Sequence, residues 1–278
     1  MTSPTGWPRR TGSLPVRAAA ALALAACAVL ASCASEDKLG NPRVLAAPAY
    51  EGGAPLWAFV PLRNESGVST VDTATLTDQL VYAAQQVQGL RVVPLNRTLA
   101  AMRAAELLSI DSPAQARRLA EIMGVDGIVV GSVTAWDPYD PPKLGMSLAL
   151  FARPGAMRPP PAIGPDGKPL SPPPPPGGVD PVTLRTSPTP PLTPPPGWSD
   201  RPSATASEHL DGANHAVQAA VKDYAEGRHE TISALGWRRY LASSRLYADF
   251  ACFRMVERLL DAERQRVAPP APVAAAGR

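Results

Sequence analysis

The chain has 278 residues, 45% hydrophobic, 5% aromatic and 18% charged, and 34 of them are proline. That apolar content can build one or two cores, but so many prolines exclude a single compact domain running from end to end. The formal charge of +3 comes from Arg9, Arg10 and Arg17, which sit in a stretch, 1–32, without an acidic residue; beyond it 24 basic residues face 24 acidic ones. A nucleic-acid binder needs a clustered Lys/Arg excess on its folded part, so nucleic acid is not among the expected partners.

Behind those arginines, 18–32 (AAAALALAACAVLAS) is an uncharged apolar run. It is shorter than the roughly 20 residues that span a bilayer, which predicts a signal peptide over 1–32. Two stretches end as Leu-Ala-small-Cys, at 24–27 and 30–33. Both resemble the lipobox at which a bacterial lipoprotein signal peptidase cuts before a diacylglyceryl cysteine. Cys33 is the expected lipidation site and Cys27 the alternative, because cutting at Cys27 leaves apolar 28–31 on the mature end, whereas Ser35, Glu36, Asp37 and Lys38 closely follow Cys33. The competing reading is an ordinary secretory cut; Arg9 and Arg10, flanked by Pro8, fit twin-arginine export poorly. Stable anchoring needs at least two acyl chains, a condition that a lipoprotein cysteine meets. By analogy with enterobacterial sorting, Ala34 after the cysteine favours the outer membrane, with the chain facing the periplasm. Cys252 is then the sole remaining thiol, which excludes an intrachain disulfide, and within an apolar helical pattern it reads as a small buried hydrophobe.

In chain order, 56–62 (LWAFVPL) reads as a buried strand ended by the turn residues Asn64, Glu65, Ser66 and Gly67. Over 73–87, Leu76, Leu80, Ala83, Ala84 and Val87 recur at helical spacing, with Asp72 or Thr70 as cap and Gly89 past the end. A second strand follows at 90–95, and Asn96 is the expected cap of a shorter helix through Glu106. Ser112, Pro113 and Gln115 open the next helix, which closes before Gly124. The third strand, 126–136 (DGIVVGSVTAW), lacks the alternation of a strand with one wet face, so helices should cover both sides. This order implies right-handed crossovers and parallel neighbours. A prolyl turn carrying Asp137 and Asp140 then leads into a fourth, antiparallel strand at 144–152.

Over 154–202, 19 of 49 residues are proline, including an unbroken run at 172–176. Such a stretch has too few backbone donors and apolar side chains for a core and predicts a disordered, polyproline-II-rich excursion. A fifth strand is expected at 203–210, a helix at 213–226, and a long helix over 234–264 striped with Trp237, Tyr240, Tyr247, Phe250 and Leu259. The predicted organisation is thus a signal peptide 1–32, a lipidated tether 33–55, an α/β domain 56–153, a Pro-rich insertion 154–202, the strand and helices completing the domain at 203–266, and a loose tail 267–278. The fold class is α/β, a mixed sheet of four to five strands flanked by helices.

Two stretches, 59–67 (FVPLRNESG) and 124–133 (GVDGIVVGSV), resemble in order and spacing the signatures of the TolB amino-terminal-like superfamily. That superfamily includes lipoproteins of curli secretion, exopolysaccharide export and penicillin-binding-protein activation. The resemblance covers roughly 56–152. It implies a mixed sheet flanked by helices and a lipidated assembly or scaffold role, and it carries no catalytic residue. The Pro-rich insertion departs from the curli channel, whose membrane hairpin needs alternating apolar residues.

No Gly-rich phosphate loop, nucleophile elbow or H-E-x-x-H occurs in the sequence. His209, His215 and His229 match no common zinc spacing, and Asp137 and Asp140 read as turn residues. No enzyme activity, metal or cofactor is therefore expected. Asn64, Glu65, Ser66 and Gly67 could border a small-ligand cleft beyond the strand ends, by analogy with other α/β sheets. The expected function is that of a non-enzymatic, membrane-anchored scaffold or assembly factor for an envelope complex. Its expected partners are envelope proteins or peptidoglycan-associated machinery, with homo-oligomerisation open. A ring-forming export component and a small-ligand-binding lipoprotein are the alternatives.

Overall fold

The computed structural model describes residues 42–161, 201–228 and 234–268. The signal segment, Cys27, Cys33, the proline run at 172–176, His229 and the tail beyond 268 lie outside them. The chain forms β1 (Leu56–Phe59), β2 (Arg63–Asn64), α1 (Thr73–Gln85), β3 (Arg91–Val92), α2 (Leu95–Ala104), α3 (Pro113–Met123), β4 (Gly127–Asp137), β5 (Lys143–Ala152), β6 (Ala204–Asp211) and α4 (His215–Ala225). A 3-10 turn (Gly236–Arg238), α5 (Arg239–Ala242) and α6 (Ser244–Val267) complete it.

The sheet runs β3-β1-β4-β5-β6, with β2 also on β4. β1 pairs parallel with β3 and β4, and β5 pairs antiparallel with β4 and β6. The mixed α/β sheet expected from the strand-helix order is the one observed. Leu144, Met146, Leu148 and Leu150 of β5 alternate onto one face. There they join Phe59, Val129 and Val133, beneath α1, α4 and α6, in the larger core cluster. Ala58, Val60, Ile128 and Phe151 point the other way, onto Met102 of α2 and Ala116, Leu119 and Ala120 of α3. Helices therefore cover β4 on both sides, which is why its sequence shows no alternation. A bulge between Val133 and Ala135 shifts its register, and the extra residue turns Trp136 back toward the larger core.

Several boundaries differ from the expectations. The expected strand 56–62 is interrupted before Arg63, since Pro61 has no N–H for the ladder, and Val60 and Glu65 donate to β4 on either side of the break. Asn96 is not the cap of α2: Pro94 holds that position and Asn96 lies in the first turn. The helix ends at Ala104, and Glu106 adopts φ 57. The single helix expected over 234–264 is broken at Ser243, whose extended backbone (φ −122, ψ 115) and side chain cap α6 by accepting from the Leu246 N–H. Of the two caps expected for α1, Asp72 rather than Thr70 accepts from Thr75, and the caps expected for α3 form, with Ser112 accepting from Gln115 and Gly124 closing the helix at φ 64.

The segment 42–55, expected as part of a tether, lies on the domain. Leu45 and Tyr50 are buried, and Ala47 donates to Gln88 while Gln88 donates to Leu45.

Candidate functional site

The turn at 64–67 hydrogen-bonds to itself. Asn64 Oδ1 accepts from the Ser66 N–H (3.1 Å) and hydroxyl (2.7 Å), and Asn64 Nδ2 donates to the Val68 carbonyl (2.8 Å). Gly67 sits at φ 75, a conformation that an L side chain rarely adopts. Glu65 pairs with Arg63 at 2.6 Å, and Arg63 also reaches Asp111. The polar atoms of this loop thus hold one another in an Asx-type turn.

Polar chemistry is denser where 42–50 crosses α6. Glu257 and Glu263 are buried on that helix. Glu257 is held by Arg254 from its own helix and by Arg43, each at 2.6 Å. Glu263 accepts from the Tyr50 hydroxyl at 3.1 Å and from Arg266. Arg264 adds a bond to the Ala46 carbonyl at 2.6 Å. Burial, and then the neighbouring Glu263 carboxylate, hold the Tyr50 phenol well above its ordinary range, so it remains a donor. A buried carboxylate is tolerated only when paired and hydrogen-bonded. Both of these recruit a partner from the N-terminal lead-in.

At Pro42 the lead-in reaches an open groove of about 980 Å³ between α1 and the corner formed by α4, α5 and α6. Its inner side is aromatic. Tyr224 meets Tyr240 edge-on at 5.6 Å and Phe253 tilted at 5.0 Å, and the Arg228 guanidinium lies 4.3 Å from the Tyr224 ring centroid and 4.7 Å from that of Phe253. On the opposite wall, Tyr82 of α1 is 64% exposed. Asp78 and Asp249 also line the groove, as does Arg245. Asp249 accepts from Gln79 at 2.8 Å, and burial raises its carboxyl above the usual range. Beneath the groove Cys252 is fully buried, its thiol pushed up by desolvation, so it is a core atom rather than a nucleophile.

Tyr240 and Phe250 belong to the apolar stripe expected to pack in the core, as they do, and Tyr240 also lines the groove. Its walls come from elements that only the tertiary fold brings together. Among the described residues, no three His, Cys, Asp or Glu side chains cluster to hold a metal ion, and no helix is long and apolar enough to cross a membrane.

No protein-family model and no curated protein matches the chain. Among solved structures, it is similar to the LpoB C-terminal domain from Salmonella enterica, at 18% identity and a TM-score of 0.29, covering 35% of this chain and 73% of that one. It is also similar to a PelC dodecamer subunit from Paraburkholderia phytofirmans (13% identity, TM-score 0.26, 42% of this chain and 72% of that one). A third is lipoprotein GNA1162 from Neisseria meningitidis (14% identity, TM-score 0.31, 58% of this chain and 85% of that one).

Proposed function

We propose that this chain is a non-enzymatic lipoprotein of the bacterial cell envelope, acylated at Cys33 and anchored in the outer membrane, whose α/β domain faces the periplasm as a scaffold or assembly factor. The observation that carries the reading is the pairing of the lipobox at 30–33 with the clamp at 42–50. Pro42 comes nine positions after Cys33, a reach of at most about 30 Å. An acyl anchor at Cys33 would therefore hold the domain close to the bilayer, with the Pro42 end of the groove nearest to it. The clamp on Glu257 and Glu263 fits a segment that must transmit that tether to the core. The scaffold part of the reading is supported by the fate of the reactive groups: the Asn64 turn is closed on itself, the two buried glutamates are neutralised and the Cys252 thiol is buried.

Anchoring is tested by metabolic labelling with a palmitate analogue. Cys33→Ala should abolish incorporation and release the chain from the outer-membrane fraction, and Cys27→Ala should leave both unchanged; labelling that survives Cys33→Ala refutes the site. The scaffold role is tested by crosslinking in intact cells followed by mass spectrometry. Reproducible recovery of envelope proteins supports it, and recovery of the chain alone overturns it.

A further inference from the structure

The groove between α1 and the α4 to α6 corner combines a ring-lined floor with a carboxylate, and the same chain carries a segment of matching chemistry. We propose that this groove docks the chain's own proline-rich arm, with residues 185–191 (RTSPTPP) as the occupant. The proposal is independent of the lipoprotein reading, since it concerns the domain and the arm alone.

Three observations carry it. The first is shape. Prolines pack into grooves walled by aromatic rings because the polyproline-II helix is already extended and loses little entropy on binding. Here Tyr82 stands on one wall, and Tyr224, Tyr240 and Phe253 form the other side. The α1 wall runs from Ala74 to Gln86, about 18 Å at 1.5 Å per residue. Residues 185–191 in the polyproline-II form span about 19 Å at 3.1 Å per residue.

The second is register and charge. With three residues per turn, Arg185, Pro188 and Pro191 fall on one side of such a helix. Among 162–200, Arg185 is the one cation followed by proline at both the third and the sixth positions; Lys168 meets Ser171 before Pro174. Asp249 lies partly buried in the groove that Asp78 also lines and, among the described residues, accepts from Gln79 with no cation at salt-bridge distance. Of the groove's own cations, Arg228 is engaged with the Tyr224 and Phe253 rings and the Arg43 carbonyl, and Arg245 acts on Asp249 only through space, beyond salt-bridge distance. Arg245 also lines the groove, on the N-terminal turn of α6. The carboxylates thus suit Arg185, leaving the two prolines to the rings.

The third is reach. The arm leaves and rejoins the domain near the C-terminal end of α6, where Arg266 donates to the Met157 carbonyl (2.9 Å) and Ser203 donates to Leu150. Asp249 lies 17 residues before Arg266, about 25 Å along the helix. Pro191 is ten residues before Arg201, about 31 Å if extended, and the stretch between 161 and Arg185 is longer. A tether of this kind gives an effective concentration on the order of millimolar. Recognition of only millimolar affinity would then occupy the groove half the time.

The test places a photo-crosslinking benzoylphenylalanine at the exposed Tyr82 of the full chain, with Gln86 on the same wall as a second position, and maps the products by mass spectrometry. The expected product joins α1 to the peptide bearing 185–191 in a species the size of one chain. Combined Arg185→Glu, Pro188→Ala and Pro191→Ala should lower its yield by about tenfold or more, while Pro172→Ala with Pro175→Ala leaves it unchanged. Three results overturn the proposal: crosslinks to 34–41 or 229–233 in place of the arm, arm crosslinks confined to a species of two chains, or a yield indifferent to the triple substitution. Absence of any arm crosslink at both positions does so as well.

Discussion

Tyr50→Phe isolates the clamp that joins the lead-in to the domain. The phenol is buried, and its hydroxyl donates to Glu263 Oε1 at 3.1 Å. Phenylalanine keeps the ring, so no cavity opens, and Glu263 keeps its two bonds from Arg266. What is lost is one hydrogen bond to a charged, fully buried acceptor, about 1.5–3 kcal/mol. In a folded unit of this size each kcal/mol moves the melting temperature by about 2–4 °C, so the expected fall is about 3–12 °C. Urea unfolding should show the midpoint shifting with an unchanged slope. In a Glu263→Gln background the same change should cost less, about 0.5–1.5 kcal/mol, because the acceptor is then neutral. A loss below about 0.5 kcal/mol in the native background would refute the inference that 42–50 belongs to the cooperative unit.

Gly131→Ala should destabilise by about 1–3 kcal/mol, measured by urea unfolding, because a methyl there would sit 2.5 Å from Leu148 Cδ2 and 2.6 Å from the Ser147 carbonyl oxygen. Ser112→Ala should cost about 1 kcal/mol by removing the bond from the Gln115 N–H that starts α3, again read from the urea midpoint. Burial holds Tyr50, Tyr224 and Tyr247 above the ordinary tyrosine range. The folded chain therefore keeps protons that the unfolded chain releases above about pH 10. Stability should be full below that pH and decline as pH rises through it, with a shallower decline in Tyr247→Phe. At pH 7 Tyr247→Phe should leave the melting temperature unchanged or raise it, since that hydroxyl is buried without a hydrogen-bond partner among the described residues.

The succession of strands and helices could be read from local pattern because it follows from periodicity and from residues with one backbone preference. Asp72, Ser112 and Gly124 cap where their chemistry requires. The break at Ser243 was missed because Tyr240 and Tyr247 keep helical spacing across it, although the pair Ser243 and Ser244 offered a cap signal. The bulge in β4 was hidden in the same way, inside a run of residues that are buried on either face. Nothing local could show the clamp or the groove. Tyr50 and Glu263 stand 213 positions apart, and Gln79 and Asp249 stand 170 apart. Such pairs express which helix lies over which strand, and that information exists only once the sheet has formed.

The same logic explains how a hairpin tolerates the arm. Closing β5 onto β6 through about fifty residues rather than four lengthens the loop by between three and four doublings, at about 0.6 kcal/mol each, so the arm costs about 2 kcal/mol. Against this stands a ladder of register pairs from Lys143 with Asp211 to Leu150 with Ala204. Leu144, Met146, Leu148 and Leu150 are buried on its inner face, each contributing about 1.5–3 kcal/mol. The burial along the ladder exceeds the added cost of the longer loop. Loop closure thus gives the arm no stabilising role, and any stability it returns must come from contacts such as those proposed for the groove. Deleting 162–200 leaves a loop of about twelve residues, two doublings shorter, and should therefore raise stability by about 1 kcal/mol if the arm touches nothing, and by less if docking offsets that cost.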